Sequence, residues 1–374
     1  MSDWYWIVFD TSEYGKYYGD VHNIIALPPG ATYRYDYGVR QITQGALGRV
    51  ADPKARALFV YTQCQIDYAR KDGKSTPTAT VPGISYIATR LGRMHNVTQE
   101  GERYHFDFTV EEYPAQGTHL VNLMTHLVER EETPLAPNTN GDPAQKYVCV
   151  STNKAALDEL SGQDDDAAWA EIVRLLSTPP MQFSQDTFWR LKGPFSRDGN
   201  GVVSPKLDKH KTVYQVTMGS NLRFNLVSML GVGGGQPEIA QVKVKSTNDN
   251  VVRVAGTSLL PLRRYTSADI EVRGHSVHLI GQSKENITFD TFPQRADGWP
   301  CGPAINLTFR VRRSKGRYAL GIFFGLLGLV AYGFGDSKAL DCLGLWATGL
   351  KVLGTIFLVA PGVLLFGKLS FSGE

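Results

Sequence analysis

Residues 305–335 read I-N-L-T-F-R-V-R-R-S-K-G-R-Y-A-L-G-I-F-F-G-L-L-G-L-V-A-Y-G-F-G. Two periods meet in this stretch. Ile305, Leu307, Phe309 and Val311 alternate with Asn306, Thr308, Arg310 and Arg312. Period two is that of a half-buried strand. From Tyr318 to Gly335 no charged residue occurs. As a helix that run is about 27 Å long, enough for a short membrane span. Arg310, Arg312, Arg313, Lys315 and Arg317 crowd the junction. A second apolar run, Cys342–Gly367, follows a polar turn at 336–341 and contains one charge, Lys351. The stretch therefore predicts cytoplasmic β-rich domains joined directly to a C-terminal two-helix transmembrane hairpin, 318–374. Basic residues gather on the cytoplasmic side, which places both hairpin ends there. The alternative is a helical hairpin buried in a soluble domain.

Toward the N-terminus the strand pattern continues. Similar segments fall at 212–218, 221–230, 239–246, 250–255, 268–273, 276–281 and 286–292. With the strand at 305–311 they predict a β-sandwich-like domain over 211–317. Residues 193–210 are rich in Gly, Ser, Asp and Lys and read as a linker. Residues 1–192 read as a β-rich sensor domain with helical insertions. Strands are expected at Trp4–Phe9, Ala57–Ile66, Tyr104–Val110 and Tyr147–Val150. Apolar residues at helical spacing predict a helix over 116–131. Two more helices follow Val150. Ser151 or Thr152 is expected to cap the first, and Asp164–Asp166 the second. The fold class is mainly β with helical insertions.

Averages hide this division. The chain has 374 residues, 39 basic and 36 acidic, and a mean hydropathy of −0.20. These are values of an ordinary soluble protein. Residues 318–374 hold three Lys and three acids, so the head carries the whole net charge of +3. Five of its basic residues sit in the last eight positions before the tail. The rest of the head has 31 basic against 33 acidic residues. Any anion site there must come from local clustering. Cys64, Cys149, Cys301 and Cys342 form no CxxC pair, which excludes a zinc ribbon or thioredoxin-type motif. The N-terminus has no basic n-region, so no secretory signal is expected and the head should stay in the cytoplasm.

Catalytic motifs fail one by one. Gly73-Lys74-Ser75 lacks the first P-loop glycine, because position 68 is Tyr. Gly231–Gly235 runs into Gln236 and Pro237, which breaks a dinucleotide fingerprint. His275 and His278 stand three apart on a strand and so point to opposite faces. No metal, no cofactor and no enzymatic activity are expected. The basic-aromatic segment Tyr33-Arg34-Tyr35-Asp36-Tyr37, with Arg40, is more informative. Arg grips phosphates by a planar fork and Tyr stacks on bases. Tyr33, Arg34, Tyr35, Tyr37 and Arg40, with Arg90 and Arg93, are the candidate residues for a nucleotide or single-stranded DNA ligand. On a strand the three Tyr share one face, so the alternative is an aromatic core face with a solvated rim.

In the tail, Gly321 and Gly325 permit close helix approach. Phe323, Phe324 and Lys351 are candidate pore or gate residues. Lys351 also suits a side chain reaching the interface from the outer surface. Arg312, Arg313, Lys315 and Arg317 are candidate contacts to the lipid bilayer. Two helices cannot enclose a pore, so a channel requires a homo-oligomer, a tetramer being one such arrangement.

The collar Arg310–Arg317 feeding Tyr318–Gly335, a short turn and Cys342–Gly367 resembles the two-helix membrane effectors of bacterial anti-phage defence systems. The Hailong type is similar in plan: a DNA oligomer binds a soluble crown above an ion channel and keeps it closed. The resemblance implies a bacterial inner-membrane effector or channel whose cytoplasmic head senses an anionic ligand. It also implies growth arrest as the outcome and a partner enzyme that makes the ligand. A membrane-tethered scaffold without a pore is the alternative function. A membrane-bound enzyme would need a polar pocket that the sequence does not disclose.

Overall fold

The computed structural model describes residues 3–11, 15–51, 53–63, 67–71, 74–78, 85–115, 147–162, 164–176, 187–196, 201–208, 211–230, 241–261, 265–272, 283–292, 304–312, 315–335 and 348–356. It is mainly β. Strand β1 (Tyr5–Thr11) shows why. Trp4, Trp6 and Val8 enter one buried cluster, while Tyr5, Ile7 and Phe9 enter another. A strand covered on both faces reads as a near-continuous apolar run. β1 pairs in parallel with β3 (Arg56–Gln63) and antiparallel with β8 (Tyr147–Ser151). With β2 (Thr32–Gly38), β6 (Ser85–Glu100) and β7 (Arg103–Val110) they form a six-stranded sheet, ordered β2-β7-β6-β3-β1-β8. Among the described residues β4 (Asp67–Lys71) and β5 (Lys74–Thr78) pair only with each other.

Among the described residues of this region the helices are α1 (Gly15–Ala26), α2 (Gln44–Leu47), α3 (Lys154–Asp158) and α4 (Asp165–Leu176). α1 and α2 lie outside the helices that the sequence predicts, which fall at 116–131 and after Val150. α1 is held by distant groups: Arg90 and Tyr113 donate to carbonyls at its C-terminal end. α3 is capped by neither Ser151 nor Thr152. Asn153 Oδ1 accepts from the Ala156 N–H at 3.4 Å instead. α4 follows expectation, with Asp164 Oδ1 accepting from the N–H groups of Asp166 and Ala167 at 3.0 and 3.2 Å.

The second region is sandwich-like. One sheet is ordered β10-β11-β18-β17-β13-β15 and the other β14-β16-β12-β9. Their strands are β9 (Thr187–Ser196), β10 (Pro205–Asp208), β11 (Lys211–Thr217), β12 (Asn221–Leu230) and β13 (Gln241–Ser246). They continue with β14 (Val252–Ala255), β15 (Leu259–Pro261), β16 (Tyr265–Val272), β17 (Ser283–Phe292) and β18 (Ile305–Arg312). The Phe224 ring on β12 lies 5.4 Å from Phe289 and 6.1 Å from Phe309, which joins the two inner faces. The segment expected as a linker, 193–210, holds strand at both ends, in β9 and β10. The expected helix over 116–131 and strand over 276–281 lie outside the described residues.

One buried cluster crosses both regions. It contains Trp6, Tyr35 and Phe108 of the first sheet, Trp189 and Leu191 of β9, and Tyr214, Val244 and Phe309 of the sandwich. The turn before β2 meets β10 closely. Gly30 has φ +85°, and a Cβ there would stand 2.5 Å from Pro205 Cγ. Only glycine suits both conditions.

β18 runs into α5 (Lys315–Gly335), with residues 313 and 314 between. A second helical segment, 348–356, packs against it. A Cβ on Gly354 would lie 2.7 Å from the Tyr332 backbone nitrogen and 3.1 Å from the Gly328 carbonyl oxygen. Apart from Val39, Val202, Leu207 and Tyr265, every exposed large hydrophobic among the described residues lies in these two helices. Among the described residues no helix is long and apolar enough to cross a membrane.

Candidate functional site

β2 sorts the basic-aromatic segment by parity. Tyr35 and Tyr37 are buried in the core, at 2% and 0% exposure. They stack on each other at 5.7 Å, and Tyr35 also stacks on Phe59 at 5.9 Å. Tyr35 donates to Asp10 at 3.1 Å. Burial, with the Asp10 charge behind it, raises both phenol pKa values well above the ordinary one. Tyr33 is half-buried and donates to Asp20. These residues form the aromatic core face, so Tyr35 and Tyr37 cannot stack on a ligand. Their expected binding role is corrected.

The arginines also separate. Arg90 is fully buried, with its guanidinium 3.9 Å over the Tyr113 ring. It donates to the carbonyls of Ile24, Ile25 and Glu111. Burial lowers its pKa from the usual value. It closes the C-terminal end of α1 and is not a ligand contact. Arg93 is exposed and donates to Glu111 at 3.2 Å. Arg40 is exposed on the 3-10 turn Val39–Gln41. Neither reaches the site described next.

Only Arg34 does. It lines a cleft of about 990 Å³ between the outer face of the β2–β7 edge and the outer face of the sandwich. On the first side, Arg34 grips Asp107 with two hydrogen bonds, of 2.6 and 3.0 Å. Asp107 is 1% exposed and also accepts from Asn96 at 2.9 Å. Burial alone would raise the Asp107 pKa. The bonds from Arg34 and Asn96 outweigh it and hold the carboxyl below its ordinary range.

The other side comes from alternate residues of β17 and β18. Ile305, Leu307, Phe309 and Val311 face the core, which turns Asn306, Thr308 and Arg310 outward. Thr308 donates to Asn286 Oδ1 at 2.8 Å, and Thr288 donates to Asn306 Oδ1 at 2.6 Å. Each pair stands directly opposite across the strands. Among the described residues no partner takes the N–H groups of either Asn side chain, which leaves them for a ligand. Lys284 and Arg310 share Asp208 Oδ2, the lysine at 2.7 Å. Lys211 faces Asp208 across the β10–β11 ladder. Of the charged residues that line the cleft, Arg34, Lys211 and Lys284 stand against Asp107 and Asp208, one cation in excess, and Arg310 adds its charge through its pair with Asp208. It suits a ligand with many hydrogen-bonding groups and a negative charge. Asn286, Asn306 and Thr308 were missed as site residues, although their alternation is plain in the sequence. What the sequence lacks is the facing wall.

Asp107 sets an acid limit on this wall. Its folded-state pKa lies below the usual 3.8, so its contribution to stability is complete above that value. The contribution is lost as pH falls through the folded pKa. Asp107→Asn is expected to flatten the loss of melting temperature between pH 5 and 3, read by calorimetry. An unchanged acid slope would show that Asp107 carries none of it.

In the tail, Phe323 is exposed and Phe324 half-buried, with ring centres 5.7 Å apart. Lys351 is half-buried, and its carbonyl accepts from Thr355 at 2.8 Å. Arg312 is exposed at the end of β18. Lys315 and Arg317 belong to the first turn of α5. Arg313 lies outside the described residues. Among the described residues no three or more His, Cys, Asp or Glu side chains come together as a group that could hold a metal ion.

No protein-family model matches the chain, and no curated protein matches it. Among solved structures, the crystal structure of domains 4 and 5 of the S-layer protein SbsC aligns with it at 7% identity and a TM-score of 0.18. The alignment covers 67% of this chain and 96% of that one. At that score it carries no argument.

Proposed function

We propose that the chain is an oligomeric membrane effector or ion channel, with its head in the cytoplasm and its tail hairpin in the bilayer. The cleft senses an anionic, hydrogen-bonding ligand of the nucleotide or oligonucleotide class. The observation that carries this reading is β18. Asn306 and Thr308 on this strand line the cleft, and the same strand leads through residues 313 and 314 into α5. A ligand that shifts β18 therefore bears directly on the tail.

The tail itself supports a lipid environment. The apolar runs 318–335 and 342–367 are long enough for two spans. The helices meet through Gly328 and Gly354 and turn Leu326, Leu329, Val330 and Leu353 outward. Small residues inside and large apolar residues outside are the pattern of helices packed in lipid. Arg312, Arg313, Lys315 and Arg317 then lie at headgroup level. A pore requires several hairpins, with Phe323, Phe324 or Lys351 as gate. Regulated permeability of this kind fits a growth-arresting defence role in a bacterial inner membrane.

Purified full-length protein in dye-loaded vesicles tests the reading. Flux is expected, and it should change at least severalfold when a short oligonucleotide is added on the head side. A monomer in detergent with no leakage under any ligand condition would overturn the channel and leave a tethered scaffold.

A further inference from the structure

Asp208 sits where an anion belongs. Its Oδ2 lies 2.7 Å from Lys284 Nζ and also accepts from Arg310 Nη2. Bonds from Lys284 and the charge of Arg310 hold its pKa below the usual range, so it is ionised at neutral pH. The strand that carries it is slight. β10 has four residues and, among the described residues, stands at a sheet edge and pairs with β11 alone. Arg310 is also incompletely used. It is 15% exposed, and its Nε is buried without a hydrogen-bond partner among the described residues. An arginine fork can give two parallel bonds to one oxyanion. A tetrahedral oxyanion offers more acceptor oxygens than the single Oδ2 now present. Lys211 faces the same point and makes no ion pair among the described residues.

We infer that Lys284, Arg310 and Lys211 form a seat for a phosphate group, that the Asp208 carboxylate is its resident occupant, and that ligand binding displaces it. This rests on the anion-sensing reading of the cleft and supplies its regulation. β10 acts as a latch. The ligand replaces an internal counter-ion, so charge in the cleft stays balanced before and after binding. Weak anions fail because they must compete with a tethered carboxylate. An anion carrying several phosphates, or further hydrogen bonds to Asn286 and Asn306, succeeds.

The test is calorimetric titration of the full chain in detergent with inorganic pyrophosphate. Asp208→Asn keeps the side-chain shape and removes the charge. It should bind about tenfold tighter than wild type, since the seat is then always open. Adding Lys284→Met to Asp208→Asn should abolish the gain. In wild type, pyrophosphate should speed hydrogen exchange at the backbone amides of Lys206 and Asp208, a readout independent of any variant's folding. Equal or weaker binding by Asp208→Asn, or unchanged exchange with pyrophosphate bound, would overturn the latch and leave the anion-sensing cleft standing. Pyrophosphate binding by neither protein would overturn the cleft's reading, and the latch with it.

Discussion

Arg90→Met is expected to lower the melting temperature of the full chain by roughly 5–10 °C, from a loss of about 3 kcal/mol. Arg90 donates from three nitrogens: Nη1 to the buried Ile25 carbonyl, and Nε and Nη2 to the part-buried Glu111 carbonyl. Methionine fills much of the same volume and donates nothing. The Ile25 carbonyl keeps its bond from Tyr113, but those of Ile24 and Glu111 lose theirs. A buried acceptor left without a donor costs about 1–3 kcal/mol. The contact with the Tyr113 ring disappears as well. Pyrophosphate affinity should not change, because Arg90 is buried and does not line the cleft. A variant that melts like wild type but fails to bind would return Arg90 to the ligand site.

Gly354→Ile is expected to reduce vesicle flux about tenfold or more while the head keeps its melting temperature. Ordinary Cβ contacts lie at 3.4–4 Å, whereas here the Cβ would meet Tyr332 N at 2.7 Å and Tyr332 Cα at 3.0 Å. Both obstacles are backbone, so no side chain can turn aside. The helices must separate, at a cost of about 1–3 kcal/mol by the usual scale of overpacking. One tenfold step in an equilibrium corresponds to about 1.4 kcal/mol. Val352→Ile is the matching control, because Val352 is 55% exposed and adds its methyl group to an open surface. Wild-type flux from Gly354→Ile would show that this helix contact has no part in permeation.

The sandwich strands were legible because one inner face alternates with one polar face, and eight residues of β18 are enough to show it. α1 was not. Its stretch Gly15–Ala26 carries Tyr17, Tyr18 and Gly19, which favour strand or turn locally. The helix exists because Arg90 and Tyr113, far along the chain, receive its end. β9 and β10 were hidden for a related reason. Gly, Ser, Asp and Lys mark loops, and an edge strand of four residues is made by its neighbour's ladder.

The site was half legible. One residue of the basic-aromatic segment, Arg34, lines the cleft. Parity could have sharpened the rest. Arg90 and Arg93 stand an odd number apart on one strand, so they could not serve one face together. The three Tyr, sharing a face opposite Arg34, already contained the core reading. No pattern could show that Asp208 neutralises Lys284 and Arg310, because that contact spans more than seventy residues and three strands.

The shared buried cluster also governs how this protein can be taken apart. β9 begins at Thr187, completes the sheet containing β12, and sends Trp189 and Leu191 into the same core as Trp6. A cut near residue 192 would leave an orphan strand on one fragment and an unpaired, apolar sheet edge on the other, the usual template for aggregation. Neither half is therefore expected to fold as a separate fragment, and single substitutions in the intact chain are the way to probe each.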